Sequence, residues 1–241
     1  MAGQWLSNIK ITFVSLDSNI EKIVREVFHE GDNKENNNRY QNIVAEHSNI
    51  TRCSPHDCIV SPANSFGLMD GGIDADLTYM LSKLWDKDYI GRKVRKIIEE
   101  NYYGEQPVGT CMLVSTENDN FPWLAHAPTM RNPHPVKGTL NPYYAFKYRL
   151  SVPVKGTLNP YYAFKAVLGE VVNYNKTAKQ DQKIKSILTP TFCTGCGKIP
   201  LKVALLQMKK AFDVVYDGVS PNWAGALDLC HYLEKLEDLE K

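Results

Sequence analysis

Apolar and polar positions alternate with two periods along the chain, and the period switches mark its elements. Residues 9–16, IKITFVSL, alternate with period two and are rich in β-branched side chains, which predicts a strand. Ser18 and Glu21 then stand at capping-box spacing. They precede Ile20, Ile23, Val24 and Val27, which share one helical face. The polar stretch 31–39, GDNKENNNR, reads as a loop, residues 42–46 as a short strand, and Cys58-Ile59-Val60 as the end of another strand. After Gly71-Gly72, the residues Ile73, Leu77, Met80, Leu81, Leu84 and Trp85 recur at helical spacing. Residues 90–102 predict a second helix whose apolar positions are Val94, Ile97 and Ile98. Two strands are expected at 109–115 and 123–127, a helix at 163–172 and a strand at 184–188. A helix is then expected from about Pro200, placed in its first turn, to Val215. Trp223, Leu227, Leu229, Leu233 and Leu236 predict a final amphipathic helix. Strands alternating with helices over the whole length imply α/β layers around one sheet.

Length and composition narrow this picture. A chain of 241 residues with 43% hydrophobic and 23% charged residues is sized and composed as one globular domain spanning 1–241. A net charge of +1 gives no basic surface for a nucleic-acid backbone, so direct nucleic-acid binding is not expected. The N-terminal residues lack a charged region followed by an apolar run, and no stretch approaches about 20 apolar residues, so neither a signal peptide nor a membrane span is expected. Six scattered cysteines, at 53, 58, 111, 193, 196 and 230, read as reduced thiols of a cytoplasmic or nuclear protein, expected to be a monomer. The segment PVKGTLNPYYAFK occurs twice without a difference, at 135–147 and 153–165. The second copy runs into an apolar helix face and is the structural one. The first belongs to a surface insertion over 130–158, where an extra loop does least harm.

Two strand–loop–helix junctions carry chemistry. In the first, DCIVSPANSFGLMDGGID (57–74), glycines between a strand and a helix let backbone N–H groups approach a ligand, and the helix N-terminus favours a phosphate. Asn64 offers donor and acceptor to sugar hydroxyls, and Asp74 is an acceptor able to orient or activate water. The plainer alternative is a tight turn with Asp74 as a helix cap. In the second, LTPTFCTGCGKIP (188–200), Thr194, Gly195, Cys196 and Gly197 present amides suited to a diphosphate. Cys193 and Cys196 also form a C-x-x-C, readable as a redox pair or half a zinc site. No second pair stands at suitable spacing, and no metal is expected. His126, within an apolar strand, reads as a hydrogen-bonded core residue. The histidines at 29, 47, 56, 134 and 231 form no ligand spacing.

These strings resemble the macro domain family over most of residues 40–215. Asp57, Ile59, Val60, Ala63 and Asn64 match its D-x-I-V-N-A-A-N loop, and Asn64 and Asp74 stand at the separation found in its ADP-ribosyl hydrolases. Thr194, Gly195 and Pro200 match its second loop, S/T-G-x-x-G-x-P. Ser48-Asn49-Ile50-Thr51 occupies the place of its G-D-I-T, whose aspartate accepts from the adenine amino group. Here Asn49 can still accept through its amide oxygen. The chain departs from the pattern at Ser61, where the family has Asn, at Met69-Asp70 in the glycine run, and at Gly197, one place early. The resemblance implies a three-layer α/β/α fold with a mixed central sheet. It implies a ligand, ADP-ribose or an ADP-ribosylated protein or small molecule, bound by Asn49, Ala63, Asn64, Gly71, Gly72, Ile73, Thr194, Gly195, Cys196 and Gly197. No cofactor is implied. A mono-ADP-ribosyl hydrolase would use Asn64 and Asp74 as catalytic residues. A non-catalytic ADP-ribose reader and an ADP-ribose 1″-phosphate phosphatase are the alternatives.

Overall fold

The structure, a computed structural model, describes residues 3–30, 39–132, 157–219 and 222–239. In chain order the elements are α1 (Gly3–Leu6), β1 (Lys10–Ser15), α2 (Ile20–Val24, continued by a π-helical turn Arg25–His29), β2 (Ile43–His47) and a 3-10 turn Ile50–Arg52. Next come β3 (Cys58–Ser61), α3 (Gly72–Leu81), α4 (Tyr89–Tyr102), β4 (Met112–Ser115) and β5 (Trp123–His126). The last are α5 (Asn159–Thr177), β6 (Ser186–Pro190), α6 (Leu201–Asp217) and α7 (Trp223–Asp238).

The six strands form one sheet in the order β2-β1-β6-β3-β5-β4, parallel except for β4, which runs antiparallel to β5 at the edge. The inner parallel strands β1, β6, β3 and β5 are largely buried because both faces are covered, while the edge strand β2 is mostly solvent-facing. Ile11, Phe13, Cys58, Val60, Ala125 and Ile187 face the layer of α2, α5 and α6. Val14, Ile59, Leu124 and Leu188 face the layer of α3 and α4. The fold is therefore a three-layer α/β/α sandwich with a mixed sheet. Asp57, just ahead of β3, accepts from Lys185 N (2.7 Å), Ser186 N (2.8 Å) and Ser186 Oγ (3.0 Å). It clamps β6 to β3 at the N-terminal edge of the sheet, opposite the loops described below.

Several expectations from the sequence need correction. The capping box of Ser18 and Glu21 does not form. Asn19 is the N-cap of α2, and the Asp17 carboxylate accepts from Asn19 N at 2.9 Å, which closes the entry turn one residue later. Leu84 and Trp85 lie past the end of α3 and are 97% and 84% exposed, so the helical spacing outruns the helix. Pro200 is the N-cap of α6 rather than a residue of its first turn. Strand β6 starts at Ser186, because Ile184 is held instead by the Asn175 side chain through two bonds of 2.8 Å. Residues 31–38 of the polar loop and the first copy of the duplicated segment lie outside the described residues. In the second copy Tyr161, Ala163 and Phe164 are buried on α5. Met130, bridged to Asn64, and Thr157, 7% exposed, pack into the body at the two ends of the expected insertion. All six cysteines are free thiols. No helix among the described residues is long and apolar enough to cross a membrane.

Candidate functional site

Parallel strands end together, so the loops leaving β2, β1, β6, β3 and β5 gather along one edge of the sheet. There they enclose a cavity of about 540 Å³. Its lining runs from Ser48, Asn49 and Ile50 after β2, through Val14–Asp17 at the end of β1, to Pro190 and Thr191 at the end of β6. It continues to Pro62–Asn64 after β3 and Thr129–Met130 after β5. Four inter-strand steps make this edge roughly 19 Å across, room for an extended ligand rather than a single sugar. Clefts at the carboxyl ends of parallel strands are where α/β sheets bind ligands, because the loops there are free to diverge.

The two glycine-containing turns line the same cavity. In the first, Gly71, Gly72, Ile73 and Asp74 line the wall, and Gly72 has φ +55, a conformation that costs glycine little. A Cβ on Gly71 or Gly72 would meet no protein atom within 4 Å. Among the described residues, the N–H groups of 70–74 have no acceptor, since the first intrahelical bonds begin with Ala75 N→Gly71 O. In the second turn, Thr194, Gly195 and Cys196 line the cavity, and the N–H groups of 194–197 likewise have no acceptor among the described residues. The turn is closed behind them by Lys198 N→Gly195 O (3.2 Å) and Ile199 N→Cys193 O (3.0 Å). Consecutive outward N–H groups form an anion-binding nest. Gly197 is not a wall residue. A Cβ there would lie 2.5 Å from the Cys193 carbonyl oxygen, so this glycine permits the turn and contributes no side-chain space to the cavity.

The side chains of the cavity carry the opposite charge. Asp17, Asp70, Asp74 and Asp76 line it, and among the described residues no Lys, Arg or His does. Asp74 is half-buried in the first turn of α3. Its Oδ1 accepts from the Ser61 hydroxyl at 2.5 Å, while Oδ2 has no protein partner among the described residues. Burial pushes its carboxyl up to about 6, the Ser61 bond opposes this, and the charge of Asp70 adds to it. Thr78 ties the loop to the helix, its hydroxyl donating between Met69 O (2.7 Å) and Asp74 O (2.8 Å).

Two asparagines stand where the sequence puts them but with other partners. The Asn64 amide is committed to its own loop: Oδ1 accepts from Phe66 N (3.0 Å) and Leu68 N (3.2 Å), and Nδ2 donates to Leu68 O (2.8 Å). Both oxygen lone pairs are taken and one N–H remains for a ligand. Asn49 caps the 3-10 turn, its Oδ1 accepting from Thr51 N (2.9 Å) and Thr51 Oγ1 (2.8 Å). A backbone N–H can only donate, so the oxygen must face Thr51 and the NH2 group is what Asn49 can offer. The expectation that Asn49 accepts from a base is corrected accordingly. Ala63, Ile73 and Met130 add apolar wall, and Thr129 and Thr191 add hydroxyls that the sequence reading did not single out. Ser61 was noted there only as a departure, and nothing local to it announced a partner on α3.

The C-x-x-C is split by depth: Cys193 is 5% exposed and Cys196 is open to the cavity. His126 is fully buried on β5 and lies outside the cavity lining. Its Nδ1 donates to Gln106 Oε1 at 2.7 Å, and Nε2 is left without a partner among the described residues, so it is only half satisfied. Burial drives its pKa down to about 3, which keeps it neutral.

No protein-family model matches the chain, and no curated protein matches it. Solved structures similar to it are macrodomains. One is the Oceanobacillus iheyensis macrodomain with ADP, at 15% identity and TM-score 0.49, covering 78% of this chain and 89% of that one. Another is the macrodomain of Mycobacterium tuberculosis DarG, at 14% identity and TM-score 0.47, covering 70% of this chain and 89% of that one.

Proposed function

We propose that this chain binds ADP-ribose or an ADP-ribose derivative in the cavity at the strand ends, and that it hydrolyses ADP-ribosyl conjugates there as a mono-ADP-ribosyl hydrolase. The observation that carries the binding is the pair of turns at one cavity, 70–74 and 194–197, whose N–H groups are unpaired among the described residues. With four lining carboxylates and no lining cation among the described residues, such amides and the N-terminal dipoles of α3 and α6 are what favours a diphosphate. The apolar stretch of Val14, Leu16 and Ile50 gives a base its place at one end, and Ala63, Asn64 and Asp74 receive the distal ribose at the other.

For hydrolysis, the free Oδ2 of Asp74 takes a proton from a water whose oxygen attacks the anomeric carbon. The bond from that carbon to the conjugated carboxylate breaks, the carboxylate leaves with the electron pair, and Asp74 returns its proton to solvent. A carboxyl held near 6 is ionised at neutral pH and still basic enough for this. One observation favours a reader without turnover: the Asn64 amide is largely spent on its own loop.

Calorimetric titration with ADP-ribose should show micromolar affinity, about −8 kcal/mol. No heat and no thermal shift at millimolar ligand would remove both readings. Incubation with a mono-ADP-ribosylated protein then separates them. Release by the wild type and none by Asp74→Ala at unchanged affinity marks the hydrolase. Binding with no release by either protein marks the reader.

A further inference from the structure

We infer that Ser61 is a positioning residue for Asp74: its hydroxyl holds one carboxylate oxygen from inside the sheet and leaves the other directed to the cavity. This rests on the reading of Asp74 as the water-activating group. Ser61 is the last residue of β3 and is 0% exposed, so no ligand reaches its oxygen and it acts only through its partner. Its backbone is fixed by Ala127 N→Ser61 O at 3.0 Å. The hydroxyl has a single proton, and that proton goes to Asp74 Oδ1 at 2.5 Å. Asp74 stands two residues inside α3, just after Gly71 and Gly72. Thr78 ties the first turn of α3 to its own loop, and the Ser61 bond ties it to the sheet.

The contact also has an electrostatic direction. A donor to a carboxylate stabilises its ionised form, while burial and the neighbouring Asp70 oppose it. Asp17 and Asp76 also line the cavity, and of the three carboxylates Asp70 is the one whose charge raises Asp74. His126, in register with Ser61 on β5, is neutral and supplies no balancing charge. Ser61 thus favours the ionised form of Asp74 beside the like charge of Asp70. A purely structural tie between β3 and α3 would hold the helix without this effect.

The test is a carbon-13 titration of the Asp74 carboxyl in the full chain, compared among wild type, Ser61→Ala and Ser61→Thr. Without the hydroxyl the midpoint should move upward by about one pH unit. Threonine, which keeps the hydroxyl, should restore it. The acid limb of the pH–rate profile for release of ADP-ribose should move by the same amount, so that Ser61→Ala loses about fivefold at pH 6 and recovers by pH 8. An unchanged midpoint in Ser61→Ala, or a loss of the same factor at every pH, overturns the proposal. Should the alanine variant not fold, Ser61→Cys gives the same comparison with a weaker donor. The titration needs no turnover: a wild type that releases nothing refutes the hydrolase reading, while the midpoints still decide the role of Ser61.

Discussion

Replacing Asp74 by asparagine probes the cavity wall without any ligand. The carboxyl stands at about 6 against an ordinary 3.8, with burial the main cause, the Ser61 bond opposing it and Asp70 adding to it. That difference corresponds to at most about 3 kcal/mol of penalty on the ionised form. The side chain keeps some contact with solvent, so the measured figure should fall below this limit. Asparagine keeps an oxygen for Ser61 and loses the charge.

The sign follows from proton binding. Between pH 4 and 6 the native state holds the Asp74 proton more tightly than the unfolded chain does, so stability declines as pH rises through that window and is level above it. Asp74→Asn should therefore be more stable than the wild type at pH 7.5, with the gap shrinking as pH falls towards 4. Urea unfolding at pH 4, 5, 6 and 7.5, read as midpoint shifts at constant slope, measures this directly. A gap that does not change between pH 4 and 7.5, or a variant less stable at pH 7.5, would refute the account of Asp74.

The glycines of the second turn should respond in opposite ways. Gly195→Ala places a Cβ where no protein atom lies within 4 Å, so it should fold with wild-type stability and lose about tenfold in ADP-ribose affinity, read by thermal melting and calorimetry. Gly197→Ala drives a Cβ to 2.5 Å from the Cys193 carbonyl oxygen and should cost about 1–3 kcal/mol of stability; a wild-type melting curve would contradict the packing behind the turn. Asn49→Asp keeps both acceptances from Thr51 and exchanges the outward NH2 for an oxygen, so it should tighten ADP-ribose, whose adenine amino group donates, by about 1.5–3 kcal/mol. Unchanged affinity by calorimetry would take residue 49 out of the base site.

The strands were legible because their burial is two-sided: Cys58-Ile59-Val60 is apolar throughout, and each residue serves one of two cores. Spacing also misled. Leu84 and Trp85 continue the helical period of α3, but the helix ends at Leu81. Ser82 there takes the extended backbone, and its hydroxyl accepts from Ile90 N at 3.2 Å, which turns the chain into α4. Periodicity records which positions are apolar and carries no information on where a serine redirects the backbone.

The site divides along the same line. Gly71, Gly72 and Gly195 could be read from the sequence because the property they supply, space beside an exposed amide, is local to the residue. Asn49, Asn64 and Ser61 could not, because each owes its role to its choice of partner. Asn49 and Asn64 turn inward to bonds two to four residues away, and Ser61 reaches a carboxylate thirteen residues on, in another layer. The charge of the cavity was equally hidden. A net charge of +1 over the chain is silent about four aspartates brought to one cavity. With no lining cation among the described residues to offset them, backbone amides become the main means of holding an anionic ligand. Affinity should then depend on loop conformation far more than on any single basic side chain, and the glycine variants of the second turn separate those two modes of holding.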